Sequence, residues 1–131
     1  MSEPREPDPD LVDLWARVFD MARHGHTETL AAYVDAGISA NLTNDKGDTL
    51  VMLAAYHGHA GTVRALLRRG ADPDRLNDRG QSPLAGAVFK NEPDVVQALL
   101  DGGADAAAGS PSAVETARMF DNADMLALLG A

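Results

Sequence analysis

An all-α solenoid of about four stacked helix-turn-helix repeats, with the first and last repeats modified as caps, is the fold that this 131-residue sequence predicts. The first observation is a glycine interval of 33 residues that runs through three series: Gly25 and Gly58; Gly37, Gly70 and Gly103; Gly47 and Gly80. Asn91 stands where the first series would continue, and asparagine is, after glycine, the residue most tolerant of a positive φ. The second observation is an apolar pattern that recurs at the same interval. Val63, Leu66 and Leu67 return as Val96, Leu99 and Leu100, and the i, i+3, i+4 spacing puts each set on one helix face. Units with this period bury their apolar faces only against one another, so the core runs through the stack and the end units need caps.

Taken in chain order, residues 1–10 (MSEPREPDPD) read as a flexible, acidic, proline-rich N-terminus and residues 11–131 as the repeat domain, divided at about 11–43, 44–76, 77–109 and 110–131. The first repeat lacks a leading loop. It starts at Asp8-Pro9-Asp10, with Asp10 as the helix cap and Asp13 three residues on, as in a capping box. Leu11, Leu14, Trp15, Val18 and Phe19 then form one apolar stripe, with Trp15 expected in the core of the cap. The second and third repeats are complete. Each has a short helix (around Ala54-Ala55, then Ala87-Val88), a turn, a leucine-bearing helix, a terminating glycine and a polar loop. The fourth has a shortened loop, 106–112, and continues through Ala113-Val114, Ala117, Met125-Leu126 and Leu128-Leu129.

Several short motifs return in the same order. The second repeat carries Gly47-Asp48-Thr49-Leu50-Val51-Met52, Ala54-Ala55, Gly58-His59, Leu66-Leu67 and Gly70-Ala71-Asp72-Pro73; the third carries Gly80-Gln81-Ser82-Pro83-Leu84-Ala85, Val95-Val96, Leu99-Leu100 and Gly103-Ala104-Asp105. In this the sequence resembles the ankyrin-repeat family, whose unit presents a loop glycine, Thr-Pro-Leu-His, Ala-Ala, Gly-His, Leu-Leu and Gly-Ala-Asp. The resemblance covers nearly the whole chain. It departs at the motif histidine, which is Met52 in one repeat and Ala85 in the other, so the Thr-to-His hydrogen bonding of the motif is lost and weaker local rigidity is expected.

Composition narrows the function. A net charge of −9 disfavours binding to nucleic acid, which needs a basic surface, and favours basic or neutral partners. No segment approaches the roughly 18 apolar residues of a membrane span, and residues 1–10 lack the basic and apolar regions of a signal peptide, so no membrane role and a cytoplasmic location are expected. The absence of cysteine removes thiolate metal sites and cysteine nucleophiles.

Two places invite chemistry. His24-Gly25-His26 and His57-Gly58-His59 are identical tripeptides one repeat apart, which stacking brings together. Histidine is a common metal ligand, yet no further ligand set completes a cage and Gly-His is ordinary in ankyrin turns, so neither a metal nor another cofactor is expected. The aspartates fall at structural positions: Asp72, Asp74 and Asp105 after helix-ending glycines, Asp45 and Asp78 in loop tips, Asp35 and Asp101 at helix ends. Nucleophile elbows, phosphate-binding glycine loops and His-Glu-x-x-His runs are all missing, and the chain does not read as an enzyme.

What remains is surface that varies while the core repeats. The resemblance implies that the first helix of each unit and the loop tip face a concave groove. The positions before the inter-helix turn are Arg23-His24, Tyr56-His57, Phe89-Lys90 and Met119-Phe120, a column both aromatic and basic, of residue types common in binding hot spots. Tyr56 and Phe89 read as groove-facing, whereas for Met119 and Phe120 groove and core remain equal alternatives. The loop tips add Asn44, Asp45, Lys46 and Asp48 in one unit and Asn77, Asp78, Arg79 and Gln81 in the next. The expected function is a monomeric interaction module or accessory protein that binds another protein through these residues. The alternatives are an inhibitor or immunity-type protein that covers a basic site on its partner, and a histidine-based metal or small-ligand binder.

Overall fold

Four positions of left-handed backbone set the period of the molecule. In a computed structural model, which describes residues 9–131, Gly25, Gly58, Asn91 and Asp121 have φ of 71, 82, 56 and 49°, and each sits in the turn between the two helices of a repeat. Asn91 thus keeps the backbone role expected of it. Among the described residues there are eight helices: α1 (Pro9–His24), α2 (Thr27–Asp35), α3 (Leu50–Tyr56), α4 (Ala60–Arg68), α5 (Pro83–Phe89), α6 (Pro93–Asp101), α7 (Ala113–Met119) and α8 (Ala123–Leu129). The odd-numbered helices pack in one row, α1 on α3 on α5 on α7, and the even-numbered ones in a second row behind it. This is the all-α solenoid of four helix pairs that the periodicity predicts.

Hydroxyl caps start the inner helices. Thr49, Ser82 and Ser112, all buried, accept hydrogen bonds from the backbone N–H of Met52 (3.0 Å), Ala85 (3.0 Å) and Glu115 (3.1 Å). The cap therefore survives where the motif histidine has been replaced. Glu115 reaches back to the Ser112 N–H at 3.0 Å, closing a capping box at α7. That box was expected at Asp10 instead. The structure corrects this: α1 already includes Pro9, so Asp10 lies inside the first turn, where its charge favours the helix N-terminus. Residues 1–8, most of the N-terminus read as flexible, lie outside the described residues.

The core is continuous. Leu30, Leu50, Val63, Leu66, Leu84, Val95, Val96 and Leu99 are essentially inaccessible, and fully burying one such side chain stabilises by about 1.5–3 kcal/mol. In α1, Val18 and Phe19 join the core, and Leu14 and Trp15 pack half-buried against it, but Leu11 is 46% exposed. Helix length explains the difference. At about 1.5 Å per residue the 16 residues of α1 outrun the 7 of α3, leaving its first turn without a neighbour among the described residues.

Polar ladders hold the loops in register. Asn44 and Asn77 each accept two backbone N–H bonds within their own tips, from Lys46 and Asp48 and from Arg79 and Gln81, all at 3.0 Å. The tips stack through Asp78 N–H to the Lys46 carbonyl (3.0 Å) and Ser110 N–H to the Gly80 carbonyl (3.0 Å). Asn41 accepts from the Asp72 N–H, and Asp74 from the Asp105 N–H, across successive repeats. Asp35 and Asp101 pair with Arg69 (2.9 Å) and Arg64 (3.0 Å) of neighbouring repeats.

Candidate protein-binding groove

The C-terminal turns of α3, α5 and α7 bring Tyr56, Phe89, Met119 and Phe120 to one face. They are 43, 57, 68 and 58% exposed, whereas Leu50, Val51, Leu53, Leu84 and Val88 of the same helices are buried. Phe89 meets Phe120 edge-on at 5.7 Å between ring centroids, and Lys90 Nζ stands 5.0 Å from the centroid of the Tyr56 ring. Met119 and Phe120 therefore lie at the surface and not in the core.

Two depressions adjoin this row. One, of about 290 Å³, lies between Tyr56, Phe89, Met119 and Phe120, with Met52 and Pro83 among its other walls and no charged side chain lining it. The second, of about 520 Å³, opens toward the loop tips and gathers Asp45, Lys46, Asp48, Asp78, Arg79 and Gln81. Met52, Tyr56 and Gln81 line both, so the depressions form one groove. Two of the tip residues are also held by the fold: Asn77 Nδ2 donates to Asp48 (2.9 Å) and to Gln81 (2.8 Å).

Arg23, His24, His57 and Lys90 line neither depression. They gather at the inter-helix turns, where Arg23 is paired to Asp20 at 2.8 Å and the His24 ring lies tilted to that of His26 with centroids 5.9 Å apart. Partial burial, reinforced by the nearby His59, Arg23, Lys90 and His24, holds His57 below its ordinary pKa. His59 is occupied differently from its neighbour. Its Nε2 shares a hydrogen bond of 2.8 Å with the Arg23 carbonyl, and its ring covers Gly25. Among the described residues, no three His, Asp or Glu side chains converge as metal ligands would.

Two contributors were not singled out from the sequence, and a third was read only as one residue of the loop-tip strip. Met52 forms the floor that joins the depressions, and its place in the first turn of an inner helix, where the motif histidine would stand, was the available signal. Gly86, unusual inside a helix, faces the Tyr56 ring, and a Cβ there would meet the ring in ordinary contact at 3.7 Å. Asn77 organises the tip, a role visible only as its 33-residue match to Asn44.

Comparison with known proteins agrees with this architecture. A family model of ankyrin repeats, in three copies, matches residues 18–109, more than two thirds of the chain. The chain is also 46% identical over 51 residues to a Pseudomonas aeruginosa protein named for its ankyrin repeats. That match covers 39% of this chain and 30% of the relative, so this chain spans under a third of the relative by matched sequence. The repeat period, the paired helices and the family match lead to one assignment: the chain belongs to the ankyrin-repeat family.

Proposed function

We propose that this chain is a non-enzymatic module that holds a partner protein in the groove over α3, α5 and α7 and against its loop tips. Ankyrin repeats are a protein-interaction fold, which supports the class. The observation that carries the reading is the row Tyr56, Phe89, Met119 and Phe120, exposed side by side around an uncharged depression. Large apolar side chains presented together to water mark an interaction site. Residues 11–131 form the working domain, Arg23, His24, His57 and Lys90 border the groove at the turns, and the tip residues extend it. A cytoplasmic location and a monomeric state belong to the same proposal.

The inhibitor or immunity-type reading draws on one observation, the three tip aspartates Asp45, Asp48 and Asp78, which suit a basic site on a partner. The metal-binding reading is weakened by His59, whose Nε2 is engaged by the Arg23 carbonyl. The test is affinity capture from the source organism with wild type and with Tyr56→Ala/Phe89→Ala. The double variant is expected to lose a specific protein while its circular dichroism is unchanged. Equal capture by both forms refutes the groove.

A further inference from the structure

The groove is graded in charge. Its loop-tip end carries Asp45, Asp48 and Asp78 beside Lys46 and Arg79, its middle is uncharged, and the inter-helix turns outside its lining carry Arg23, Lys90 and a group of histidines. This turn end stands out on a chain whose net charge is −9. Lys90 Nζ stands 5.0 Å from the centroid of the Tyr56 ring, itself a wall of the apolar depression, and the His57 ring adjoins that same ring at 5.7 Å.

We propose that the groove takes an acidic segment of its protein partner: an apolar side chain enters between Tyr56, Phe89, Met119 and Phe120, and flanking carboxylates meet Lys90, His57 and Arg23. The proposal rests on the groove reading above and adds the chemistry of the partner. A basic segment in that position would set like charges against Lys90 and Arg23, which is how interfaces reject wrong partners. The net negative charge of the chain does not reverse this at contact. At physiological salt, exposed charges more than about 8 Å away are largely screened, so the local cations dominate.

The same end responds to pH. The groups that face His57 are Arg23 and His24 from α1, His59 at the start of α4 and Lys90 after α5; the nearby carboxylates are Asp20, paired to Arg23, and Glu92, which lies over Gly58. Arg23 is shared with Asp20, so Lys90 is the fixed cation on which recognition of a carboxylate rests, and His57 adds charge when protonated. Protonation of His57, which is held below its ordinary value of 6.5, strengthens the patch while the carboxylates of a bound segment stay ionised, so binding tightens as pH falls below 6.5.

Three synthetic peptides test this by fluorescence anisotropy and amide NMR titration: a glutamate-rich peptide with a central phenylalanine, its lysine-rich counterpart, and the glutamate-rich peptide with alanine at the centre. The first is expected to bind, to shift the amides of Tyr56, His57, Phe89 and Lys90, and to weaken about tenfold or more with Lys90→Glu and with the central alanine. Its affinity should rise as pH falls from 7.5 to 5.5, and rise less in His57→Gln. Stronger binding of the lysine-rich peptide, no binding of the acidic one, or indifference to Lys90→Glu overturns the proposal. None of those results touches the groove reading, which stands or falls on whether Tyr56→Ala/Phe89→Ala abolishes partner capture.

Discussion

Gly25→Ala and Gly58→Ala make the same chemical change at equivalent turns one repeat apart, yet they should differ in cost. Both glycines are left-handed, with φ of 71 and 82°, and an alanine held there costs about 1–2 kcal/mol. At Gly58 the new Cβ would lie 3.1 Å from the carboxylate of Glu92, the far end of a flexible side chain that moves aside. At Gly25 the Cβ would lie 2.5 Å from His59 Nδ1 and 2.8 Å from Cγ. That ring is pinned by its 2.8 Å bond to the Arg23 carbonyl, and moving it forfeits a hydrogen bond worth about 0.5–1.5 kcal/mol together with its packing. Gly58→Ala should therefore cost about 1–2 kcal/mol and Gly25→Ala about 2–4 kcal/mol. Urea denaturation of the two variants checks the difference. In a His59→Ala background the excess at Gly25 should vanish, a coupling of about 1–2 kcal/mol in a double-mutant cycle. Equal costs for the two glycines, or an additive cycle, would refute the claim that His59 locks the first turn.

Removing the cap hydroxyl in Thr49→Ala or Ser82→Ala should cost about 1 kcal/mol each by urea denaturation, while Thr49→Ser stays close to wild type, because each hydroxyl is buried on a backbone N–H. His57 binds fewer protons folded than unfolded, so its contribution to stability is complete above its ordinary pKa of about 6.5 and declines as pH falls below that value. Melting temperatures between pH 7.5 and 5 should fall less steeply in His57→Gln than in wild type. Truncation after Gly103 removes α7 and α8, whose Ala113, Ala117 and Met125 are buried in the common core. The fragment should aggregate or lose its cooperative melt, whereas a soluble, cooperatively melting product would contradict the continuous core.

The inner and outer helices, the turns and most of the core were legible because a period of 33 residues is a statement about stacking that needs no coordinates. Asn91 was readable for the same reason. Asp121 was not, although its φ of 49° gives it the same role, because the shortened loop before α7 breaks the period that points to it. The exposed stretch of α1 escaped too, since a stripe of apolar residues does not reveal how long the neighbouring helix is. At the groove, the column of Tyr56, Phe89, Met119 and Phe120 followed from its place before each turn. Its floor at Met52 and its shared wall at Gln81 depend on how successive helices are offset, which the spacing within one repeat does not contain.

The two His-Gly-His tripeptides separate these kinds of knowledge. The sequence alone determined that they occupy equivalent turns, that both central glycines take left-handed backbone, and that stacking sets one near the other. Only the tertiary structure decided that they differ. His59 turns back onto the preceding repeat, covers Gly25 and binds the Arg23 carbonyl, while His26 stays exposed beside His24. Identical local sequence fixes identical backbone, but a side chain takes its partner from the neighbouring repeat, and at the end of a stack that neighbour changes.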